Sequence, residues 1–144
     1  ERDYPAMDAL FRRATVSSVL VSAAGALLFL SLLALARGLD LELAKRFLPT
    51  LETSLFLSAL VLQQVRFAMG SYLRAHKAEP FALLSVVEGL AAVPLLSLLG
   101  KELGALGMIL GFLGLTSLTL VPAVHIFRRC RKLWHIPRFA EASP

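Results

Sequence analysis

The sequence predicts an all-α integral membrane protein with four transmembrane helices, and three observations carry that expectation. The chain of 144 residues is 57% apolar and only 17% charged, whereas a soluble domain has roughly 45–50% and about 25%. The apolar residues gather into long runs instead of alternating with charge, and the mean hydropathy is +0.72. Four of those runs each reach about 20 residues, the length a helix needs to cross a ~30 Å hydrocarbon core. A single cysteine allows no internal disulfide. These features exclude an ordinary soluble enzyme, a disordered tail and a disulfide-stapled secreted module.

The first run, 14–36, holds 23 residues without a charge between Arg13 and Arg37. The second, 53–73, holds 21 residues interrupted only by Arg66. The third, 81–100, holds 20 and is interrupted only by Glu88. The fourth, 103–127, holds 25, with His125 near its end as the one titratable group. Helices of a soluble bundle would carry charged outer faces at helical period, and such faces are missing. Without water to satisfy the backbone, helix is the expected conformation of each run. The chain reads as a single membrane domain over 1–144, with a basic tail at 128–144.

Lysine and arginine set the orientation. Arg2, Arg12, Arg13, Arg74, Lys77, Arg128, Arg129, Arg131, Lys132 and Arg138 lie on the side of the termini. Arg37, Lys45, Arg46 and Lys101 lie on the other. The positive-inside bias puts both termini and the 74–80 loop in the cytoplasm. The net charge of +5 is thereby a topology signal and gives no reason to expect a nucleic-acid partner. Met7, Leu10 and Phe11 fall at i, i+3 and i+4, which predicts a short interfacial helix over 6–13. The 37–52 segment is expected on the outer surface with at most a helical turn, and 100–104 as a tight connection. The chain starts at Glu1 with a polar stretch and an apolar run too long for a signal peptide; a fragment or processed chain is expected.

Two charges fall inside the apolar runs. Arg66 lies eight residues before Arg74 and Glu88 eight after Pro80. Both therefore sit ~12 Å inside the cytoplasmic end, on successive antiparallel helices. A bare charge there costs ~3 kcal/mol or more. Matched depth allows a structural Arg66–Glu88 pair, and Arg66 also has the reach to snorkel to the headgroups. The alternative is a substrate or ion pathway, with Arg66 facing an anion or Glu88 taking a proton or cation. Gln63, at i−3 from Arg66, shares its face and would line the same cavity or form an interhelical hydrogen bond.

Pro94 and Pro122 are expected to kink their helices by removing one backbone hydrogen bond each. Gly104, Gly107, Gly111 and Gly114 share one face of the fourth span, and Ser18, Ser22 and Ala26 one face of the first; both are expected to be close-packing faces. Catalytic and cofactor signals are absent: no HExxH, paired-cysteine metal motif, Walker A loop or glycine-rich nucleotide fingerprint occurs. No enzyme activity, metal or cofactor is expected. His76, His125 and His135 read as interfacial side chains, and Cys130 as a juxtamembrane residue.

Three segments support a family resemblance: Tyr72-Leu-Arg-Ala-His-Lys-Ala-Glu-Pro-Phe81, Gly104-Ala-Leu-Gly-Met-Ile-Leu-Gly111 and Ile126-Phe-Arg-Arg-Cys-Arg-Lys-Leu-Trp-His135. In that order and spacing they resemble the C-terminal portion of bacterial polysaccharide flippases. These are the O-antigen and lipopolysaccharide transporters of the multidrug/oligosaccharidyl-lipid/polysaccharide exporter superfamily. The resemblance runs from about Asp8 to His135. It implies the last part of a transporter of 12 to 14 helices in two lobes, which moves undecaprenyl-diphosphate-linked glycans across the bacterial cytoplasmic membrane by alternating access. The partners implied are the lipid bilayer, that glycan, and the preceding helices of the same transporter, expected before Glu1. Arg66 is then the position to assign to a cation near the diphosphate. Other classes are a self-contained four-helix exporter with Glu88 as its proton-coupled carboxylate, a membrane assembly subunit, and a membrane enzyme. The lysine and arginine bias speaks against the first, and the lack of clustered carboxylates or a metal site against the last.

Overall fold

The computed structural model describes residues 4–75 and 79–134. Within them the chain folds as helices: α1 (Tyr4–Gly38), a short α2 (Glu42–Lys45), α3 (Thr50–Ala75) and α4 (Phe81–Trp134). α4 is two helices in succession, because Gly104 has φ 62° and ψ −143° and breaks the helical path. Residues 81–103 and 105–134 are its two halves. Only glycine enters that region of backbone space without a steric penalty, and the chain turns back on itself there. The expected 100–104 connection is thus one residue of non-helical backbone between two helices.

The halves of α4 meet at very close range. A Cβ added to Gly107 would lie 2.7 Å from the Leu99 carbonyl carbon, and one on Gly111 would lie 2.9 Å from a Leu96 methyl. Gly100 is pressed in the same way against Met108. At Gly107 glycine is required because backbone approaches backbone, the pattern by which membrane helices pack without a solvent-driven hydrophobic force; at Gly100 and Gly111 the close neighbours are side-chain ends. Gly114 departs from the expectation: nothing lies within 4 Å of the place its Cβ would occupy. Gly114 lies on the exposed side of its helix, although the two halves are still in contact further from the turn, where Thr119 meets Glu88.

α3 is the middle element, packed on α1 along one side and α4 along the other. On α1 the half-buried residues Thr15, Ser18, Ser22 and Ala26 lead to buried Leu33, a stripe of small side chains at helical spacing. Buried Met69, Tyr72 and Leu73 of α3 pack with Ala123 and Phe127 of α4. Phe11 joins them: its ring lies 4.7 Å from Tyr72 and 5.4 Å from Phe127. Each such aromatic pair adds ~0.5–1.5 kcal/mol beyond burial. At the other end Phe56 meets Phe112 at 6.1 Å, and Arg37 donates to the Thr50 hydroxyl and the Leu48 carbonyl. Matching layers therefore run from end to end: α1 rises, α3 descends, the first half of α4 rises and the second descends.

Several sequence boundaries shift. α1 runs unbroken from Tyr4, so residues 6–13 belong to the same helix as the first apolar run and are not a separate helix. Pro5 falls in the first turn, where a missing N–H costs nothing, and no breaker follows until the helix is established. The helix also continues past 127 to Trp134, which takes up the start of the expected tail. Pro94 and Pro122 lie inside α4, whose one non-helical residue is Gly104. Neither proline interrupts the helix, whose backbone stays helical at both.

Among the described residues two helices are long and apolar enough to cross a membrane: Ala9–Gly38 and Phe81–Arg131. The second, at 51 residues, would extend ~77 Å if straight, far more than one crossing; the break at Gly104 divides it into two. α3 has the length but not the hydropathy, because Glu52, Gln63, Gln64 and Arg66 dilute it. It is supported by contacts on two sides instead. The outward surface is strongly apolar: Leu20, Val21, Leu90 and Leu118 are 63–72% exposed.

Candidate functional site

Arg66 and Glu88 come together. The Arg66 guanidinium donates to a Glu88 carboxylate oxygen across the interface of α3 with the first half of α4. The two side chains keep only 16% and 13% of their exposure. Helical phase explains the meeting: residues 81, 84, 88, 92, 96 and 99 form the inward stripe of α4's first half, and Glu88 is its one charged member.

Two further side chains complete the cluster. Gln63 Oε1 accepts from Arg66 Nη2 at 3.0 Å, a bond within α3 and not the interhelical one that was the alternative to lining a cavity. Thr119, in the second half of α4, accepts from Arg66 Nη1 at 3.0 Å and donates to Glu88 Oε1 at 3.3 Å. Its hydroxyl also lies 2.9 Å from the Leu115 carbonyl. Thr119 was not singled out by the sequence reading, although it lies eight residues before Phe127, the same depth as Arg66 and Glu88 at their own boundaries. One polar node thus ties three helical segments together inside apolar surroundings. Buried polar networks are costly when incomplete and strong when every group is met; here both charges and the amide oxygen have partners.

Arg66 and Gln63 also face a cleft. It has a volume of about 270 Å³ and lies between α3 and the start of α4. Gln63, Arg66, Gly70 and Arg74 line it from α3, with Glu79, Phe81 and Ser85 opposite. Arg74 is exposed, its guanidinium 5.9 Å from the Phe67 ring. The lining follows from the i, i+3, i+7, i+11 spacing of 63, 66, 70 and 74, which keeps four residues on one helix face.

The remaining sequence candidates are dispersed. Gly107 and Gly111 serve the hairpin contact, at a distance along the helix from the polar node. Pro94 and Pro122 are exposed. His125 is exposed and Cys130 half-buried; His76 and His135 lie outside the described residues. Among the described residues no three His, Cys, Asp or Glu side chains gather to hold a metal ion.

Comparison with family models, curated proteins and solved structures found no match.

Proposed function

We propose that this chain is a multi-pass module of a membrane transporter, the C-terminal part of one that flips lipid-linked oligosaccharide precursors across the bacterial cytoplasmic membrane. The observation that carries the transporter reading is the Arg66–Glu88–Thr119–Gln63 node: ionisable groups held between helices whose outer surfaces are apolar. Intramembrane charges of this kind mark substrate and ion pathways more often than surface charges do. A contiguous apolar exterior of this extent is foreign to soluble monomers, and the two long apolar helices fit a bilayer core. The substrate class rests on the resemblance of the 72–81, 104–111 and 126–135 segments to polysaccharide flippases. In that setting Arg66 supplies a cation to the diphosphate, Glu88 holds it in place, and both termini lie in the cytoplasm.

Two measurements test this. Alkaline carbonate washing of membranes from cells expressing the chain should leave it in the pellet; release into the supernatant would sink the membrane reading. In the complete transporter, Arg66→Ala should abolish glycan export with expression unchanged. Export at the unsubstituted rate would remove Arg66 from the pathway.

A further inference from the structure

We infer that the cleft beside Arg66 is a binding site for a phospholipid with an ethanolamine headgroup, which would share Arg66 with a transported diphosphate; this rests on the membrane reading above. A guanidinium has five N–H donors. Arg66 spends three, on Glu88, Thr119 and Gln63, so two N–H groups lack a partner among the described residues, on a side chain that lines the cleft. Arg74, also in the lining, has a 3.4 Å contact from Nε to the Gly70 carbonyl and lies near the Phe67 ring; among the described residues its terminal nitrogens make no hydrogen bond. Two guanidiniums on one helix face, about two turns apart along the axis, can reach toward one phosphodiester from either end of the cleft.

Charge selects the headgroup. The lining also holds the exposed carboxylate of Glu79, and Glu88 neutralises Arg66 from behind. The site therefore carries no large positive excess, and a headgroup with an anion and a cation suits it better than an anion alone. The phosphodiester takes Arg74 and the spare donors of Arg66; the ammonium donates to Glu79. A quaternary ammonium could not donate such a bond, and a glycerol headgroup has no cation. At about 270 Å³ the cleft falls just below the ~300–1,000 Å³ of sites that enclose whole ligands, so a headgroup fits and the acyl chains remain outside. Phe67, 63% exposed at the cleft's edge, leads from it to the apolar exterior. Depth agrees: Arg74 sits at the helix end where headgroups lie, and Arg66 two turns deeper.

The test is native mass spectrometry of the purified chain in mild detergent, titrated with phosphatidylethanolamine, phosphatidylglycerol, phosphatidylcholine or inorganic phosphate. The ethanolamine lipid should be retained about tenfold more than either other lipid, and inorganic phosphate should not displace it. Arg74→Gln should weaken ethanolamine-lipid retention about tenfold, as the loss of one charge-assisted contact does. Glu79→Gln should erase the preference over the glycerol lipid, and Lys101→Gln, at the opposite end, should change neither. Both cleft substitutions are at exposed positions, and unchanged far-UV circular dichroism will certify their folds. Equal retention of the three lipids, displacement by inorganic phosphate, or a preference untouched by both cleft variants would overturn the inference. A chain that resists carbonate but shows no headgroup preference refutes this site alone; a chain that carbonate releases refutes the membrane reading as well.

Discussion

Removing one side of the Arg66–Glu88 pair should be far more harmful than removing both. Arg66→Met deletes one hydrogen bond within α3, to Gln63, and the two that join α3 to Glu88 and Thr119. It leaves the Glu88 carboxylate, 13% exposed, with only the 3.3 Å bond from Thr119. Orphaning one member of a buried pair costs about 3–5 kcal/mol, a shift of roughly two to nearly four orders of magnitude in the folded-to-unfolded ratio. Glu88→Leu orphans Arg66 instead, which retains Gln63 and Thr119 and should fall toward the lower end of that range. In Arg66→Met with Glu88→Leu, neither charge remains, and Thr119 still has the Leu115 and Thr116 carbonyls within reach. The double variant should then lie within about 1 kcal/mol of the unsubstituted protein. The assay is denaturant unfolding of the purified chain in mild detergent, followed by far-UV circular dichroism. An Arg66→Met variant within about 0.5 kcal/mol of the unsubstituted chain, or a double variant worse than both singles, would refute the pairing argument.

Other consequences are simpler to read. Gly107→Ala places a methyl against the Leu99 carbonyl, and overpacking against backbone should cost about 1–3 kcal/mol or more; Gly114→Ala, with open space at its Cβ, should be neutral or slightly stabilising in the same unfolding assay. Gly104→Ala forces a side chain into φ 62° and should cost about 1–3 kcal/mol, with unchanged stability counting against a true reversal at that residue. In intact cells, Cys130 should be protected from a membrane-impermeant maleimide. A cysteine placed by Lys101→Cys, with Cys130→Ser, should react; the reverse pattern would invert the topology.

The long apolar runs, the reversal near Gly104 and the Arg66–Glu88 pair were legible because each depends on position along a helix axis. Counting residues from a charged boundary fixes depth, and depth alone puts these two side chains opposite one another. Thr119 obeys the same count but carries no charge, so nothing in the sequence set it apart from the other hydroxyls. Rotation about the axis was harder to read. The contact of Gly107 with Leu99 was hidden because it depends on how the chain leaves Gly104, a backbone angle that no periodicity encodes. Gly114 shows the same gap: its spacing matches Gly107 and Gly111, yet it lies on the exposed side of the helix. The cleft was also missed, since its floor joins one face of α3 to residues after Pro80 that the sequence reads only as a boundary.

The polar node also has a history within each molecule. Arg66 is synthesised 22 residues before Glu88 and 53 before Thr119. At about 5–20 residues per second, the guanidinium would wait some seconds for its last partner. α3 is also the helix whose own composition falls short of what a membrane crossing demands. On the membrane reading proposed above, its entry would be completed by residues not yet made when it leaves the ribosome, with α1 as its first support and the α4 hairpin closing over it later. A chain halted before Thr119 would hold the same α3 sequence with its arginine only partly answered, and cellular quality control would meet that intermediate before it met the finished fold.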